Sequence, residues 1–178
     1  TTLNTAVVTG ANRGLGFETC RQLAAKGLKV ILTSRNSEKG EARAEELAGQ
    51  GYDVLFHPLD VVDPASISAL ADNIRSDFGR LDILVNNAGI IRRNTSMDFT
   101  EEDWDDVMNV NLKTLFFLSQ AAARQFVKQK SGGKIINIAS MLSFQGGILV
   151  PSYTASRKDP ILQQACTQEL GVETVSTD

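Results

Sequence analysis

The 178-residue sequence has few of the residues that mark specialised classes of protein, with two cysteines, one histidine and no long apolar run. Cys20 and Cys166 are too few and too far apart for a disulfide framework or a zinc site, so we predict buried structural thiols and no metal. No uninterrupted apolar stretch approaches the roughly 20 residues that a membrane-spanning helix needs. A formal net charge of −3 offers no basic surface for nucleic acid.

The remaining composition is that of a folded globular domain. Hydrophobic residues make up 42% of the chain and charged residues 22%, which are ordinary values for such a protein. The length predicts a single domain, residues 1–178, with a substantial core. The first residues lack a charged segment followed by an apolar core and a cleavage site, so they predict no secretory signal. With so few cysteines, we expect a reducing, cytoplasmic location.

Segments typical of buried strands alternate with segments typical of helices. Five runs rich in Val, Ile and Leu show no alternation of apolar and polar residues, which is typical of parallel strands covered on both faces; they span 5–10, 29–34, 53–58, 81–87 and 133–140. Apolar residues recur at helical spacing after Asp63-Pro64 and along 101–128. This order predicts an α/β fold with a doubly wound parallel sheet, and VETVST at 172–177 is a candidate sixth strand.

A glycine-rich segment, VVTGANRGLGFE at 7–18, joins the first predicted strand to the first predicted helix. Glycine at these positions permits a tight turn and close approach of the backbone to a pyrophosphate. The free N–H groups of the helix N-terminus then face the anionic oxygens. We therefore predict a dinucleotide site whose loop residues are Gly10, Asn12, Arg13, Gly14, Leu15 and Gly16.

The end of the second predicted strand favours NADP(H) over NAD(H), which is the alternative. In NAD-binding domains an acidic residue about 20 residues past the loop binds the ribose 2′-hydroxyl. Here the strand ends LTSRN, with Arg35 and no carboxylate, and Arg13 adds a second cation. Arginine binds phosphate bidentately and stays charged, which suits a 2′-phosphate. The competing interpretation is that both arginines are solvated surface residues.

Three motifs together resemble the short-chain dehydrogenase/reductase family. They are TGxxxGxG in the loop, NNAG at 86–89, and Ser140 thirteen residues before Tyr153. The resemblance extends over about residues 5–156. Its first half is similar to carbonyl reductases, and the stretch SFQGGILVPSYTAS is similar to sugar-acid dehydrogenases such as 2-deoxy-D-gluconate 3-dehydrogenase. The doubly wound, or Rossmann, fold is what this family implies.

The resemblance implies hydride transfer between a nicotinamide and a carbonyl or secondary alcohol, and it assigns roles to residues. Asp60, with Val61 beside it, would bind adenine, and the ribose would be lined by Asn86, Ala88 and Gly89. Asn111 would hold a water that relays protons, Ser140 would polarise the carbonyl, and Tyr153 would supply the proton. The residue types alone leave other interpretations open. Asn86 and Asn87 could cap a strand end, and Asn111 could mark a helix kink or be a surface amide. Ser140 could be an ordinary turn serine, and Tyr153 could be a core residue.

One position departs from the family. The family places a lysine one helical turn after the tyrosine, where it lowers the pKa of the phenol and binds the nicotinamide ribose. Here Arg157 occupies that position, on the same helix face as Tyr153, but a guanidinium is planar and more diffusely charged than an ammonium. Lys158 is rotated by about 100° unless the helix is distorted, and Asp159-Pro160 could distort it. Both cations stay candidates, with a solvated basic pair as the alternative.

The resemblance leaves two main hypotheses. The first is an NADP(H)-dependent oxidoreductase, and the second is a cofactor-binding module without competent catalysis; a Rossmann domain that only binds a partner is a third. Family members continue past the sixth strand into a substrate-covering segment, so we expect a fragment, a natural truncation or an engineered form. The loop 90–100, with Arg92 and Arg93, hints at an anionic substrate. By analogy, the helix of 101–128 and the catalytic helix predict a homodimer or homotetramer.

Overall fold

The computed structural model describes residues 4–157 and the strand at 173–176. One sheet of six strands has the order β3-β2-β1-β4-β5-β6, and every pairing is parallel. The strands are β1 (Thr5–Val8), β2 (Lys29–Ser34), β3 (Val54–Pro58), β4 (Ile83–Asn86), β5 (Lys134–Asn137) and β6 (Glu173–Ser176). The chain builds outward from β1 to β3, returns to the other side of β1 and builds outward again to β6. The predicted doubly wound sheet is therefore confirmed, with its sixth strand.

Helices connect the strands along the described part of the chain. They are α1 (Gly14–Ala25), α2 (Ser37–Gly49), α3 (Pro64–Asn73), α4 (Glu101–Met108), α5 (Thr114–Gln129) and α6 (Pro151–Ser156). Side-chain oxygens of Asn36, Asp63 and Thr100 accept backbone N–H groups at the starts of α2, α3 and α4, which satisfies donors that lack helical partners. No described helix is long and apolar enough to span a membrane.

Two π-helical turns and one 3₁₀ turn interrupt this regular pattern. The stretch predicted as one helix over 101–128 is α4 and α5 joined by a π turn at Asn109–Lys113, and a second π turn, Ile74–Phe78, follows α3. The 3₁₀ turn, Met141–Ser143, precedes α6. Each π turn inserts a residue into the helical repeat and so changes which side chains share a face beyond it.

The core has two apolar clusters, one on each face of the sheet. Val7 of β1 belongs to the cluster beneath α3 and α5, whereas its neighbours Ala6 and Val8 belong to the cluster beneath α1 and α2. Successive strand residues point to opposite faces, so burial on both sides explains why the strand sequences do not alternate.

The predicted structural thiol Cys20 is buried in the second of these clusters, and Cys166 lies outside the described residues. Within the described ranges, no group of three acidic, histidine or cysteine side chains is arranged to hold a metal.

Candidate functional site

The glycine loop packs directly against the segment that follows β4. Gly10 has a φ of +62°, and a Cβ placed on it would lie 2.9 Å from the Cα of Ala88. A Cβ on Gly16 would lie 2.5 Å from Asn87 Nδ2 and 2.9 Å from the Cα of Ala11. Both contacts require glycine, since the atoms they meet belong to the backbone or to a hydrogen-bonded side chain. The loop therefore packs closely against the segment after β4, at the carboxyl ends of the strands, where α1 begins.

Thr9 and Asn87 hold this arrangement by hydrogen bonds. The Asn87 side-chain amide donates to the carbonyl oxygens of Thr9 (2.8 Å) and Gly10 (3.1 Å). The Thr9 hydroxyl oxygen accepts from the backbone N–H groups of Asn87 (3.0 Å) and Ala88 (2.9 Å). Neither residue was predicted to belong to the site, although Thr9 lies in the TGxxxGxG motif and Asn87 in NNAG.

A groove of about 1050 Å³ opens at the carboxyl ends of β1, β2, β3 and β4. It is lined by eleven of the twelve residues predicted to bind the cofactor: Gly10, Asn12, Arg13, Gly14, Leu15, Gly16, Arg35, Asp60, Val61, Ala88 and Gly89. This position spans the switch point between β1 and β4, where doubly wound sheets bind ligands. Its volume is about the upper end of the range for small-molecule pockets.

Asn86 is the predicted cofactor residue that does not line the groove. It is buried beneath it, and its amide nitrogen donates to Ser119 Oγ (3.0 Å) and to Asn137 Oδ1 (2.7 Å). These bonds join β4, α5 and β5 inside the core. Asn87, the next residue, faces the groove instead, because successive side chains at a strand end point to opposite sides.

Three cations at one end of the groove have no partner among the described residues. Arg13, Arg35 and Lys39 are exposed there, and none of them makes an ion pair or side-chain hydrogen bond within that part of the chain. Arg43 also lines the groove, but it pairs with Glu46 and stacks on the ring of Phe17. Lys39 and Arg43 were missed by the sequence analysis, since only the packing of α2 beside β2 brings them to the groove.

Asp60 is the single carboxylate among the described residues that line the groove. One of its oxygens accepts the backbone N–H of Val62 at 3.1 Å, and its own backbone N–H donates to Ser66 Oγ at 2.9 Å. The second carboxylate oxygen accepts no hydrogen bond from the described residues, so it can act as an acceptor. The carboxylate is therefore oriented by its own turn, at the end of β3.

Ser140 and Tyr153 lie on the segment that leaves β5. Ser140 begins the 3₁₀ turn, and its hydroxyl oxygen accepts the backbone N–H of Leu142 at 3.2 Å. This contact uses a lone pair and leaves the hydroxyl hydrogen free to donate. Tyr153 is half-buried on α6, and in the part of the chain that the structure describes its hydroxyl donates to no protein group.

Arg157 directs its guanidinium back toward the sheet. Nη1 donates to the carbonyl oxygen of Ile138 at 2.6 Å, and Cζ lies 5.3 Å from the centroid of the Tyr153 ring. Nη2 lies against Gly89 in the volume that a side chain there would need. Nε is buried and has no hydrogen-bond partner among the described residues. Lys158, the other predicted candidate, and Asp159-Pro160 lie outside the described residues.

Asn111 lies in the π turn between α4 and α5 and is only 1% exposed. Its amide nitrogen donates to the carbonyl oxygen of Ile90 (2.9 Å) and to Ser156 Oγ (3.1 Å), while its oxygen accepts the Ile90 N–H (2.9 Å). Ser156 Oγ in turn donates to the carbonyl oxygen of Tyr153 at 2.9 Å. Asn111 thus ties the segment after β4 to the helix that carries Tyr153. Its predicted role in holding a water stays a prediction.

The chain is similar to dehydrogenases and reductases of known sequence. It is 51% identical over 152 residues to the 2-dehydro-3-deoxy-D-gluconate 5-dehydrogenase of Escherichia coli (strain K12), covering 85% of this chain and 59% of that protein. The enzyme of the same name from Bacillus subtilis (strain 168) is 46% identical over 153 residues, covering 86% and 59%. A 3-oxoacyl-[acyl-carrier-protein] reductase of Staphylococcus aureus (strain Mu50) is 40% identical over 167 residues, covering 93% and 68%. This chain therefore spans 59% of the length of the first two relatives.

A solved structure gives the same result for the fold. The crystal structure of a gluconate 5-dehydrogenase from Burkholderia cenocepacia J2315, in complex with NADP and tartrate, superposes with a TM-score of 0.89 at 31% identity. The match covers 97% of this chain and 70% of that one. The model of the short chain dehydrogenase family matches residues 4–173, so the chain belongs to the short-chain dehydrogenase/reductase family.

Proposed function

We propose that this chain carries the cofactor site and catalytic residues of an NADP(H)-dependent oxidoreductase, which transfers a hydride between nicotinamide and a carbonyl or secondary alcohol. One relationship carries this proposal. Gly89 lines the groove and contacts the guanidinium of Arg157, which stacks on the ring of Tyr153. The predicted cofactor site and the predicted proton donor are therefore adjacent.

The groove fits a phosphorylated dinucleotide. The glycines bring backbone N–H groups and the α1 N-terminus within reach of a pyrophosphate, without a side chain in between. Arg13, Arg35 and Lys39, which have no ion-pair partner within the described residues, offer positive charge for a 2′-phosphate. The free oxygen of Asp60 is an acceptor for the adenine amino group. When bound, the nicotinamide would supply or accept the hydride.

The residues beyond the groove would handle the oxygen of the substrate. The Ser140 hydroxyl, whose lone pair already accepts from Leu142, donates its hydrogen to the carbonyl oxygen and polarises the carbonyl. Tyr153 donates its phenolic proton to the alkoxide that forms. The guanidinium of Arg157 lies over the ring of Tyr153 and places a permanent positive charge next to the proton donor. Asn111 and Ser156 hold the turn of α6 on which Tyr153 is placed.

We propose a polyhydroxy carboxylate as the substrate class. Two relatives are named for dehydrogenation of 2-dehydro-3-deoxy-D-gluconate, and the solved structure binds tartrate, so carboxylates recur among similar proteins. On the loop after β4, Arg92 is already paired with Asp103 (3.2 Å) and Asp106 (2.8 Å). Arg93 is exposed and unpaired among the described residues, which makes it the better candidate to bind a carboxylate.

We also propose that copies of the chain pair through α4 and α5, as the family analogy suggests. Trp104 of α4 and Phe117 and Val127 of α5 are exposed by 39%, 50% and 59%, so these two helices present large apolar side chains to their surroundings. Sedimentation velocity tests this proposal: Phe117→Lys should shift a dimer or tetramer toward the monomer. A wild-type chain that sediments as a monomer would contradict it.

The decisive experiment is a fluorescence titration with NADPH and NADH, followed by a turnover assay with 2-dehydro-3-deoxy-D-gluconate. We expect preferential binding of NADPH and measurable hydride transfer. Binding without turnover for this and other carbonyl substrates would favour the cofactor-binding module instead. Failure to bind either dinucleotide would overturn both hypotheses, since each requires an intact groove.

A further inference from the structure

A second cavity, separate from the dinucleotide groove, opens between α3 and α5 on the face of the sheet that these two helices cover. Its volume is about 280 Å³, and it shares no lining residue with the groove. The proposed hydride transfer gives this cavity no role. We call it the α3–α5 crevice.

The floor of the α3–α5 crevice is apolar. Val7 of β1 and Leu84 of β4 form its base, while Leu70 of α3 and Leu118 and Ala122 of α5 form its walls. All five side chains belong to one buried core cluster. The crevice is therefore a gap in the core that reaches the surface, and it offers an apolar ligand a dry contact surface.

The rim of the α3–α5 crevice is positively charged. Arg124 and Lys128 stand one helical turn apart on α5, both are exposed, and neither has a partner among the described residues. The third rim cation, Arg75, is paired with Asp72. No acidic residue occurs in α5, so nothing on that helix offsets the two free charges.

The opposite wall ends in a π turn. Leu70 lies in α3, and Ile74 and Arg75, which also line the crevice, begin the π turn that follows. π-helical turns disturb the regular repeat of side chains and are frequent at functional sites. Here the turn places two consecutive residues along the crevice, with the apolar Ile74 at its floor and the cation Arg75 at its rim.

We propose that the α3–α5 crevice binds an amphiphilic anion, of which a medium-chain fatty acid is the simplest, with its alkyl chain on the apolar floor and its carboxylate between Arg124 and Lys128. The long stems of these two residues pack along apolar surface and carry their charges to the edge, which matches the headgroup of such a ligand. A cationic amphiphile meets the same floor but is repelled at the rim. The proposal therefore predicts selectivity by charge at equal chain length.

Isothermal titration calorimetry with octanoate and with octylammonium tests this selectivity. We expect saturable binding of octanoate and none of octylammonium. Arg124→Glu should weaken octanoate binding by at least about fivefold, since reversing the charge replaces an attraction with a repulsion. Lys26→Glu is the matched control, because Lys26 is an exposed cation at the end of α1, outside the crevice, and should leave binding unchanged.

A second pair of variants tests the location of the alkyl chain. Ala121 lines the α3–α5 crevice and is half-buried, so Ala121→Leu should fill part of the crevice and weaken octanoate binding. Ala25→Leu, at an exposed position at the end of α1, should not. Far-UV circular dichroism of each variant verifies that the fold is intact before binding is compared.

Two results would overturn the proposal. Equal binding of octanoate and octylammonium would show that the rim charges are not recognised, and absence of octanoate binding to the folded wild type would show that the crevice is not a site. If octanoate fails to bind while Arg124→Glu changes the sedimentation coefficient, the crevice is an interface between copies of the chain instead.

Discussion

The guanidinium of Arg157 stacks on the ring of Tyr153, with Cζ 5.3 Å from the ring centroid. This separation lies within the roughly 6 Å over which a cation is attracted to an aromatic face. Nη1 is fixed independently by the carbonyl oxygen of Ile138, so the charge is held from two directions. A permanent cation therefore lies beside the predicted proton donor, although it contacts the ring and not the hydroxyl.

Tyr153→Phe should lower kcat by at least about 100-fold, because it removes the proton donor and keeps the ring on which Arg157 stacks. NADPH affinity should not change, and fluorescence titration alongside steady-state kinetics would separate the two effects. Tyr52→Phe is the matched control, since Tyr52 is the only other tyrosine and lies outside the site. Full turnover by Tyr153→Phe would exclude the proposed mechanism.

Arg157→Met should lower kcat by about tenfold or more, because a side chain of similar length without charge no longer places a cation over the ring of the proton donor. Arg157→Lys should keep or raise kcat, since it retains the cation and removes the buried Nε that lacks a partner among the described residues. Lys26→Met, a substitution outside the site, should leave kcat unchanged. Equal kcat for the Met variant and the wild type would show that the charge has no catalytic role.

The fold and the family could be predicted from the sequence, and both predictions are confirmed. Strands such as β1 and β2 are buried on both faces, so their composition alone marks them as parallel strands. The two π turns and the 3₁₀ turn were not anticipated, and the clearest case is the π turn at Asn111. It coincides with hydrogen bonds between Asn111 and Ile90, residues from different segments, and helical periodicity carries no information on such contacts.

The sequence motifs predicted the groove lining on four separate segments, but they did not predict the contacts that packing adds to it. The glycine loop is continuous, so its residues were found together. Lys39 reaches the groove because α2 packs beside β2, and Arg92 is neutralised by α4; both facts depend on tertiary packing. Asn86 and Asn87 are adjacent, and the structure alone distinguishes the buried one from the one that faces the groove.

Arg35→Ser should weaken NADPH binding by roughly tenfold to a hundredfold, which corresponds to the loss of a charge-assisted hydrogen bond to phosphate. NADH affinity should stay constant, because NADH lacks the 2′-phosphate. Lys39→Ser should produce the same pattern with a smaller effect, and Lys26→Ser should produce none. Parallel loss of NADPH and NADH affinity in Arg35→Ser would contradict a 2′-phosphate contact.

Cys20 should make the stability of the chain depend on alkaline pH. Burial raises the pKa of its thiol to about 12, so the folded chain keeps this proton after the unfolded chain has lost it, above a pKa of about 9. The unfolded state then binds fewer protons, and the free energy of unfolding falls as the pH rises from about 9 toward 12. Well below pH 9, where the thiol is protonated in both states, this group contributes no pH dependence.

The measurement is urea unfolding at pH 8, 9 and 10.5 for the wild type and Cys20→Ala. Between the last two pH values the wild type should lose up to about 2 kcal/mol more than Cys20→Ala, since one pKa unit corresponds to about 1.4 kcal/mol. All other titrating groups are common to both proteins. Identical pH profiles would show that the Cys20 thiol is not held neutral by the fold.

Gly16→Ala should destabilise the chain by roughly 1–3 kcal/mol, because the added methyl group overpacks a site with no free space. Its Cβ would lie 2.5 Å from Asn87 Nδ2, 2.9 Å from Ala11 Cα and 3.0 Å from the Gly10 carbonyl oxygen. Relief of these contacts moves the glycine loop away from β4, so NADPH binding should weaken as well.

Gly49→Ala separates this steric effect from the general effect of replacing glycine in a helix. Gly49 ends α2, and a Cβ there meets no atom within 4 Å. This variant should be neutral or stabilised by up to about 1 kcal/mol, because alanine has the higher helix propensity. Urea unfolding followed by circular dichroism gives both values. If Gly16→Ala were as stable as Gly49→Ala and bound NADPH as the wild type does, the close packing of the loop on Asn87 would not be what shapes the groove.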